Sequence, residues 1–480
     1  MRLRLVLLAL TAALLGSVLP VAVAGGDDVA CVDLVPEPLG FADRVVIDPD
    51  RAGGEPVAVV GHDGSLNVSA HAGTTHLYKN PDALGGVDDF AVGYTNQVLN
   101  WRSVDGGRTW DYIGLAGLNA GPHSATSTGF SDPDYAIDQA GNIYNTEIDL
   151  ANVSVFASLD DGQSYALANP EATSGDRPWL AALEDGEVFL YVNTARQLWR
   201  STDHGVTWLP IGVNVPINAK PYPDPVNRDD GLIGPVGRSA IAITADDGES
   251  WTVHAGPALR SGTQFFDTGL AVDAAGNAYR ATAGQDTDGG YVDFNYFDRD
   301  AEAWGEVSQI PLPFDGRAMW SWVTAGDEGR VNVSWMMSPA DDPRSFHLVS
   351  ATTLNATGTT VTCPDGSTAF VPPQWSVAVA TPDPIHVGAV CLSGTTCNLN
   401  TGEGGDRRLG DFFTTEVDPQ GRVFLVTADT TLESAFGGPK PVGNPIFVLQ
   451  DEGPLLYTTP REVRDTRCLT PTAGTPLCQR

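Results

Sequence analysis

The stretch "RSTDHGVTW" (Arg200–Trp208) decides the fold, because the octet within it returns three more times along the chain. The other copies are "SVDGGRTW" (Ser103–Trp110), "SLDDGQSY" (Ser158–Tyr165) and "TADDGESW" (Thr244–Trp251). The matching aspartates are Asp105, Asp160, Asp203 and Asp246, at intervals of 55, 43 and 43 residues. A catalytic centre is needed once, whereas a motif that recurs at about the length of a four-stranded propeller blade indicates architecture.

The composition of the octet is typical of a tight turn between two strands. An aspartate carboxylate accepts hydrogen bonds from nearby backbone N–H groups, and glycine adopts a positive φ without strain. The terminal Trp or Tyr begins the next strand and supplies a large apolar anchor. A metal-binding or catalytic role for these aspartates is the alternative, but their repetition favours a structural role.

A second repeat, D-x-x-G-x-x-aromatic, lies between the octets. Its copies are "DQAGNIY" (Asp138–Tyr144), "DAAGNAY" (Asp273–Tyr279) and "DPQGRVF" (Asp418–Phe424). Each copy follows a short apolar strand and precedes another, which is typical of a β-hairpin. Both repeats fit one four-stranded unit, as in residues 130–168: the glycine hairpin joins the first two strands, and the octet joins the last two.

The spacing of these units predicts an all-β protein, a β-propeller of seven four-stranded blades. First strands are expected near residues 56, 134, 178, 220, 268, 318 and 411. The stretch near residue 220 is weakly patterned, so six blades are the alternative. The strand "RVVI" (Arg44–Ile47) is expected to close the ring by joining the last blade.

Composition divides the chain into three parts. Residues 1–24 have a basic start, an apolar run and a small-residue cleavage site, which indicates a secretory signal peptide, with an uncleaved anchor as the alternative. The propeller is expected over 25–462, with an insertion around 338–405, followed by a disulfide-closed tail over 463–480. The net charge of −33 disfavours nucleic acid and anionic membranes as partners. We expect a secreted monomer.

An even number of cysteines follows the signal segment, which in an exported chain indicates disulfides. The six are Cys31, Cys363, Cys391, Cys397, Cys468 and Cys478. Cys391–Cys397 and Cys468–Cys478 are each close enough in sequence to close a local loop. Elimination then leaves Cys31 with Cys363.

The octet resembles the Asp-box, or bacterial neuraminidase repeat, of the sialidase-like β-propellers. Two copies, "SVDGGRTW" and "STDHGVTW", match S-x-D-x-G-x-T-W at every position. The resemblance implies the propeller fold over most of residues 45–460 and a glycan-directed function. Sialidases of this family also carry an Arg-Ile-Pro motif, which occurs nowhere in this sequence. Propellers with the same repeat also bind ligands or assist assembly without sialidase chemistry.

Candidate site residues lie mainly in the loops that lead into the first strands, because those loops surround one mouth of the central channel. The candidates for acid/base or metal duty are Asp132, Asp134 and Glu147. The candidates for ligand binding are Arg177, Asp267, Arg317, Arg407, Arg408 and Asp411. Paired carboxylates can cleave a glycosidic bond, and arginines can grip a carboxylate through parallel hydrogen bonds. The same aspartates could instead hold Ca²⁺ or bond the backbone of a neighbouring blade.

These observations support two hypotheses of different classes. The first is a sialidase-like, glycan-directed protein, an exo-acting glycoside hydrolase that uses the carboxylates of these loops. The second is a non-catalytic extracellular propeller that binds a glycan or a protein. The crowded aspartates and arginines favour the first hypothesis, and the missing Arg-Ile-Pro motif favours the second.

Overall fold

The computed structural model describes residues 36–71, 98–114, 131–149, 152–263, 269–363, 365–393, 397, 405–433, 440 and 442–463. Over these ranges the secondary structure is β-strand with connecting turns and loops. No helix formed by the described residues is long and apolar enough to cross a membrane.

The described strands form seven blades, numbered along the chain from the first complete sheet. Two short strands come first: β1 (Gly40–Phe41) and β2 (Val45–Val46). Blade 1 has β3 (Gly54–Val60), β4 (Leu66–His71), β5 (Val98–Ser103) and β6 (Asp111–Gly114). Blade 2 has β7 (Ser131–Ile137), β8 (Ile143–Asp149), β9 (Asn152–Ser158) and β10 (Ala166–Thr173). Blade 3 has β11 (Pro178–Ala182), β12 (Val188–Val192), β13 (Gln197–Ser201) and β14 (Leu209–Val213).

The remaining blades follow the same plan, with additions in blades 5 and 6. Blade 4 has β15 (Tyr222–Pro223), β16 (Gly231–Val236), β17 (Ala240–Ala245) and β18 (Thr252–Ala255). Blade 5 has β19 (Gly269–Val272), β20 (Ala278–Asp286), β21 (Gly289–Asp298), β22 (Ala303–Trp304) and β23 (Ser308–Gln309). Blade 6 has β24 (Gly316–Ala325), β25 (Val331–Pro339), β26 (Ser345–Thr353), β29 (Ser376–Val379) and β30 (His386–Val387), with a separate hairpin of β27 (Thr359–Thr362) and β28 (Thr368–Val371). Blade 7 has β31 (Thr414–Val417), β32 (Val423–Asp429) and β33 (Asn444–Glu452).

The prediction of seven blades is confirmed. The weakly patterned stretch near residue 220 forms a complete four-stranded sheet, although its first strand, β15, has only two residues. Residues 338–405 contribute blade strands as well as the β27–β28 hairpin.

The ring is closed by strands from both ends of the propeller. The antiparallel pairing of β2 with β33 places Val45 opposite Phe447, and β1 pairs with the far end of β33. Blade 7 therefore takes its outer strands from the start of the described chain, as the sequence predicts for Arg44–Ile47. β3 also contacts β7 and β31, so blades 1, 2 and 7 adjoin.

The octets of blades 1 to 4 form one type of turn on the side of the ring that we call the lower face. In the third copy, Ser201 Oγ donates to Asp203 Oδ1 (2.8 Å) and accepts from the Gly205 N–H (2.9 Å). Thr207 donates its N–H to Oδ1 (2.8 Å) and its hydroxyl to Oδ2 (2.7 Å) of Asp203. Asp105, Asp160 and Asp246 accept the corresponding bonds.

The D-x-x-G hairpins also lie on the lower face and tie neighbouring blades together. Asp138 accepts the Asn142 N–H (2.9 Å) of its own hairpin, the Tyr144 hydroxyl (2.8 Å) and the Gly186 N–H (3.0 Å) of blade 3. Asp273 makes the corresponding bond to the Gly329 N–H of blade 6 (2.9 Å). The repeat therefore uses one carboxylate to fix a turn and join two blades.

The disulfide predicted between Cys391 and Cys397 is confirmed, with an S–S distance of 2.01 Å. Cys363 is also disulfide-bonded. Cys31, Cys468 and Cys478 lie outside the described residues, so the other two predicted pairs stay predictions.

Candidate functional site

Three non-glycine residues with left-handed backbone conformation lie where first strands begin, on the side that we call the upper face, and a fourth lies within the first strand of blade 6. They are Glu55 (φ 49°), Asp132 (φ 50°), Arg177 (φ 59°) and Trp320 (φ 53°). The ladder is interrupted by a bulge beside Glu55 in β3, Asp132 in β7 and Trp320 in β24. Such backbone costs about 1–3 kcal/mol per residue and clusters where function requires it. A bulge also redirects the side chain that it carries.

Residues from blades 1, 2, 3 and 7 meet in one charged group, which we call the upper-face cluster: Glu55, Asp132, Arg177, Arg407 and Asp411. The Arg407 guanidinium contacts the Asp411 carboxylate directly, and its Nη2 lies 3.8 Å from Glu55 Oε1. Nη2 of Arg177 lies 3.9 Å from Asp411 Oδ2. Two arginines from different blades therefore converge on one carboxylate.

Backbone hydrogen bonds fix the positions of the two aspartates in this cluster. Glu55 Oε1 accepts the Asp411 N–H (2.9 Å), and Asp132 Oδ2 accepts the Arg177 N–H (3.1 Å). Behind the cluster, Glu55 Oε2 lies 3.1 Å from Nε2 of the buried His71. Each carboxylate thus holds a backbone segment of a neighbouring blade.

The electrostatics of Arg407 depend on its burial. The side chain is about 4% exposed, and this desolvation lowers the pKa of its guanidinium. The carboxylates of Glu55 and Asp132 raise the pKa, and the Arg177 guanidinium lowers it further. An additional anion in the cluster would stabilise both arginines in their charged form.

An aromatic cavity of about 30 Å³ adjoins the cluster at the top of the central channel. Its lining includes Trp179, Trp320, Trp322, Phe412 and Asp411. The ring centroids of Trp179 and Phe412 lie 5.8 Å apart, and those of Trp322 and Phe412 lie 6.0 Å apart. Because Asp411 belongs to both, the charged cluster is continuous with a small apolar cavity that has room for one or two water molecules.

Of the three predicted catalytic carboxylates, only Asp132 lies in the upper-face cluster. Asp134 lies in the channel, buried, where its Oδ2 accepts from Lys220 Nζ (2.5 Å) and from the Leu180 N–H (2.8 Å). Glu147 is buried in β8, opposite Ser154 of β9.

The predicted ligand-binding residues are divided between the cluster and other positions. Arg177, Arg407 and Asp411 come together in it. Arg408 instead forms an ion pair with Asp406 and donates to the backbone carbonyl groups of Thr430 (3.1 Å) and Lys440 (2.5 Å). Arg317 lies near the start of β24, where burial alone lowers the pKa of its guanidinium. Asp267 lies outside the described residues.

Sequence reasoning missed Glu55, His71, Lys220 and Glu416. A signal was present for two of them: a charged residue followed by proline near the first strand, as in Glu55-Pro56 and Lys220-Pro221. Asp132 and Arg177 share this pattern. Proline has no N–H, so a strand can begin there without leaving a backbone donor unpaired. His71 and Glu416 lie within strands and carry no comparable signal.

A protein metal site is usually built from several grouped ligand residues. No three or more His, Cys, Asp or Glu residues of the described ranges are grouped in a way that could hold a metal ion.

Comparison with known proteins gives one partial sequence match. A sialidase of Micromonospora viridifaciens is 31% identical over 171 residues, which cover 33% of this chain and 22% of the sialidase. The chain thus matches about a fifth of the length of that curated relative. No protein-family model matches the chain. The protein is a seven-bladed β-propeller with a distant sialidase homologue.

Several solved propellers resemble the chain at low identity. YCF48 bound to D1 peptide has a TM-score of 0.45 at 12% identity, covering 88% of this chain and 99% of that one. The GH74 xyloglucanase from Xanthomonas campestris has a TM-score of 0.48 at 15% identity, covering 85% of this chain and 55% of that one. A third structure is the E242A mutant of the α-L-arabinofuranosidase Arb93A from Fusarium graminearum in complex with an iminosugar inhibitor. Its TM-score is 0.41 at 13% identity, and the match covers 85% of this chain and 97% of that one. Fold likeness at this level carries no information on function.

Proposed function

We propose that the protein is a secreted, glycan-directed propeller that binds an acidic sugar at the upper-face cluster and cleaves its glycosidic bond as an exo-acting hydrolase. One observation carries the proposal: Arg177 of blade 3 and Arg407 of blade 7 converge on Asp411 beside an aromatic cavity. The partial match to a sialidase supports the same class of ligand.

The cluster has the chemistry that an acidic sugar requires. Guanidinium groups bind a carboxylate through parallel, charge-assisted hydrogen bonds. Trp179 and Phe412 are buried beside Asp411 and lower the polarity around that carboxylate, which strengthens the charged contacts that it makes. A ligand carboxylate would compete with Asp411 for the two guanidinium groups, and Arg177, which is 23% exposed and lies 3.9 Å from Asp411, is the more available of the two.

We assign the acid/base role to Asp132. It is partly exposed, whereas Asp134 and Glu147 are buried and cannot meet a ligand without rearrangement. Asp411 is the second carboxylate of the pair, as electrostatic stabiliser, because it is buried in contact with Arg407 and lies 3.9 Å from Arg177. A glycosidase needs two such carboxylates about 5–10 Å apart.

One observation favours the second candidate, a non-catalytic propeller that binds the same glycans. Two carboxylates of the upper-face cluster already serve as links between blades: Asp132 bonds the Arg177 N–H, and Glu55 bonds the Asp411 N–H. Carboxylates used in this way stabilise the ring and are less suited to proton transfer.

The location outside the cell also belongs to the proposal. Disulfides persist in oxidising compartments, and the Cys391–Cys397 bond is compatible with export. Fractionation of the producing cells tests this directly: the chain is expected in the medium or on the cell surface. Retention of the full-length chain in the cytoplasm would contradict it.

The deciding experiment combines turnover and binding. The purified mature chain is assayed on fluorogenic glycosides, α-sialosides included, and on an array of acidic and neutral glycans. We expect cleavage of acidic glycosides that Asp132→Asn abolishes while binding is retained. The control Glu249→Gln changes an exposed carboxylate in a lower-face turn and should leave both unchanged.

The outcomes separate the two candidates. Binding of acidic glycans without turnover would establish the non-catalytic propeller. Neither binding nor turnover of any acidic glycan would overturn both assignments. Turnover that survives Asp132→Asn would reject the role of this residue while leaving the class of enzyme intact.

A further inference from the structure

A buried histidine lies directly behind the upper-face cluster, and the proposed function does not use it. The side chain of His71 in β4 is 0% exposed, and its Nε2 lies 3.1 Å from Oε2 of Glu55, whose own side chain is 1% exposed. An ionised carboxylate only accepts hydrogen bonds, so Nε2 carries a proton in both charge states of the ring, and His71 gains its second proton at Nδ1. Imidazole is the side chain whose charge ordinarily changes between pH 5 and pH 8.

Glu55 connects this histidine to the loop that carries Arg407 and Asp411. Its Oε1 accepts the Asp411 N–H (2.9 Å) and lies 3.8 Å from Nη2 of Arg407. The loop turns tightly over Glu55, because Gly410 has φ 79° and donates its N–H to the Arg407 carbonyl (2.9 Å). A Cβ atom at Gly410 would overlap Cγ of Glu55, so the loop and this side chain are in direct contact. His71, Glu55 and Arg407 therefore form a row of neighbouring ionisable groups that ends in the cluster.

The charged groups of the described residues around His71 come from three elements: β3, the segment before β31, and β7, which contacts β4. They are Glu55, Asp132, Asp134, Arg407 and Asp411. β5 places the apolar Val98 opposite His71. Asp134 is paired with Lys220, and Arg177 lies 3.9 Å from Asp411. The guanidinium groups of the cluster are thus shared among several carboxylates before any ligand arrives.

An acidic sugar in the cluster changes the balance around Glu55. The ligand carboxylate competes with Glu55 and Asp411 for the guanidinium group of Arg407, so the attraction between Arg407 and Glu55 weakens. Charges in buried surroundings interact strongly, and Glu55 then depends more on its other neighbour, His71. A proton on Nδ1 gives His71 the positive charge that Glu55 no longer receives from Arg407. By linkage, a ligand that favours protonation is itself bound more tightly by the protonated form.

We propose that His71 takes up one proton when an acidic sugar binds at the upper-face cluster, so that the affinity for the sugar rises as the pH falls. The inference rests on the proposed function, because it takes the acidic sugar in this cluster as given. It adds to that function a preference for acidic surroundings. His71 is a positioning residue in this scheme, since it contacts Glu55 rather than the ligand.

Titration calorimetry of the mature chain at pH 7 counts the protons. The probe is methyl α-thiosialoside, which resists hydrolysis, and its methyl ester is the neutral control. The binding enthalpy is measured in phosphate and in Tris, whose ionisation enthalpies differ, so the difference gives the number of protons bound per sugar. We expect uptake approaching one proton with the acid and none with the ester. The affinity for the acid should rise about fivefold between pH 7.5 and pH 6.

Two variants locate the proton. His71→Gln keeps an N–H donor for Glu55 but gains no charge, so proton uptake and the pH dependence of affinity should both disappear. Asp132→Asn should retain both, because the counted proton is not on Asp132. The control His204→Gln removes a histidine–carboxylate pair from the lower face, where Nε2 of His204 lies 3.2 Å from Oδ1 of Asp185. It should bind the probe like the wild type.

The outcomes separate this inference from the function on which it rests. Binding of the acid without proton uptake would overturn the role of His71 and leave the glycan site intact. Uptake that survives His71→Gln, or that disappears in Asp132→Asn, would overturn that role as well. No binding of the acid at any pH would overturn the glycan site and this inference together. If His71→Gln does not fold, an NMR titration of the wild-type His71 imidazole decides: its midpoint should rise with the acid bound, and an unchanged midpoint would contradict the inference.

Discussion

The lower and upper faces of the ring use aspartate in different ways. On the lower face, Asp105, Asp160, Asp203 and Asp246 repeat one turn, and each carboxylate is satisfied by residues of its own octet. On the upper face, Glu55, Asp132 and Asp411 each contact a different group of another blade. Repetition marks the face that builds the fold, and its absence marks the face available for function.

The lower face and the central channel also differ in how their carboxylates respond to protons. Burial alone would raise the pKa of Asp105, but hydrogen bonds from Thr109, Ser103 and Arg108 outweigh it and lower the pKa to about 2. In the channel, burial raises the pKa of Glu416 to about 7. Hydrogen bonds dominate at the exposed turns, whereas desolvation dominates inside the ring.

The largest effect on stability is expected from Lys220→Met. The change leaves the buried Asp134 carboxylate without its cation, and breaking such a pair costs about 3–5 kcal/mol. Urea unfolding measures it. The double variant Lys220→Met with Asp134→Leu should recover most of the loss. If Lys220→Met unfolds like the wild type, the channel pair does not link blades 2, 3 and 4.

Next in size is the effect of Arg177→Met on ligand affinity or on kcat/KM. We expect a loss of about 100-fold, since one of two guanidinium groups for the ligand anion is removed. The side chain is 23% exposed, so the melting temperature should change little. Arg228→Met, in an exposed lower-face hairpin, is the matched control. An equal loss in both variants would remove the distinction between the faces.

The pH dependence of stability should differ between wild type and Glu416→Gln by about 3 kcal/mol. The folded pKa of Glu416 is raised from 4.5 to about 7, so the folded state keeps a proton that the unfolded state releases. Its contribution to stability is therefore complete below pH 4.5 and is lost as the pH rises through 7. Urea unfolding from pH 4 to 8 measures this. Parallel curves for the two proteins would contradict it.

The smallest effect is expected from Asp203→Ala, about 1 kcal/mol, because the turn loses hydrogen bonds at an exposed site. Asp246→Ala should cost nearly the same, since the two turns are alike. Neither change should alter glycan binding or turnover. Unequal costs, or a loss of function, would show that the lower face is less uniform than its repeats indicate.

The sequence predicts the fold well, because each blade carries its own local signals. The octets and glycine hairpins place strand boundaries within short segments, and even the short β15 belongs to a sheet that the spacing predicts. Those signals depend on neighbouring residues, so they can be identified without tertiary information.

The site is less predictable, because its members meet through ring closure. Arg407 and Glu55 are far apart in sequence and adjacent in space only since blade 7 adjoins blade 1. Arg408, next to Arg407, turns towards Asp406 instead, and no local pattern distinguishes the two arginines. Asp132 and Asp134 also reach different sites, the cluster and the channel, because the bulge in β7 lies between them.

The pairing of β1 with β33 also sets the order of assembly. Gly40 lies opposite Glu452, so this contact joins segments synthesised near the beginning and near the end of the described chain. Each sheet from blade 1 to blade 5 is built from strands that follow one another along the chain, so it can fold as the chain is synthesised. Blade 7 forms its three inner strands in the same way, but the outer edge of β33 stays unpaired until β1 and β2 join it. We therefore expect closure to be the slow, final step, and proteolysis or aggregation of the newly made chain to begin at blade 7.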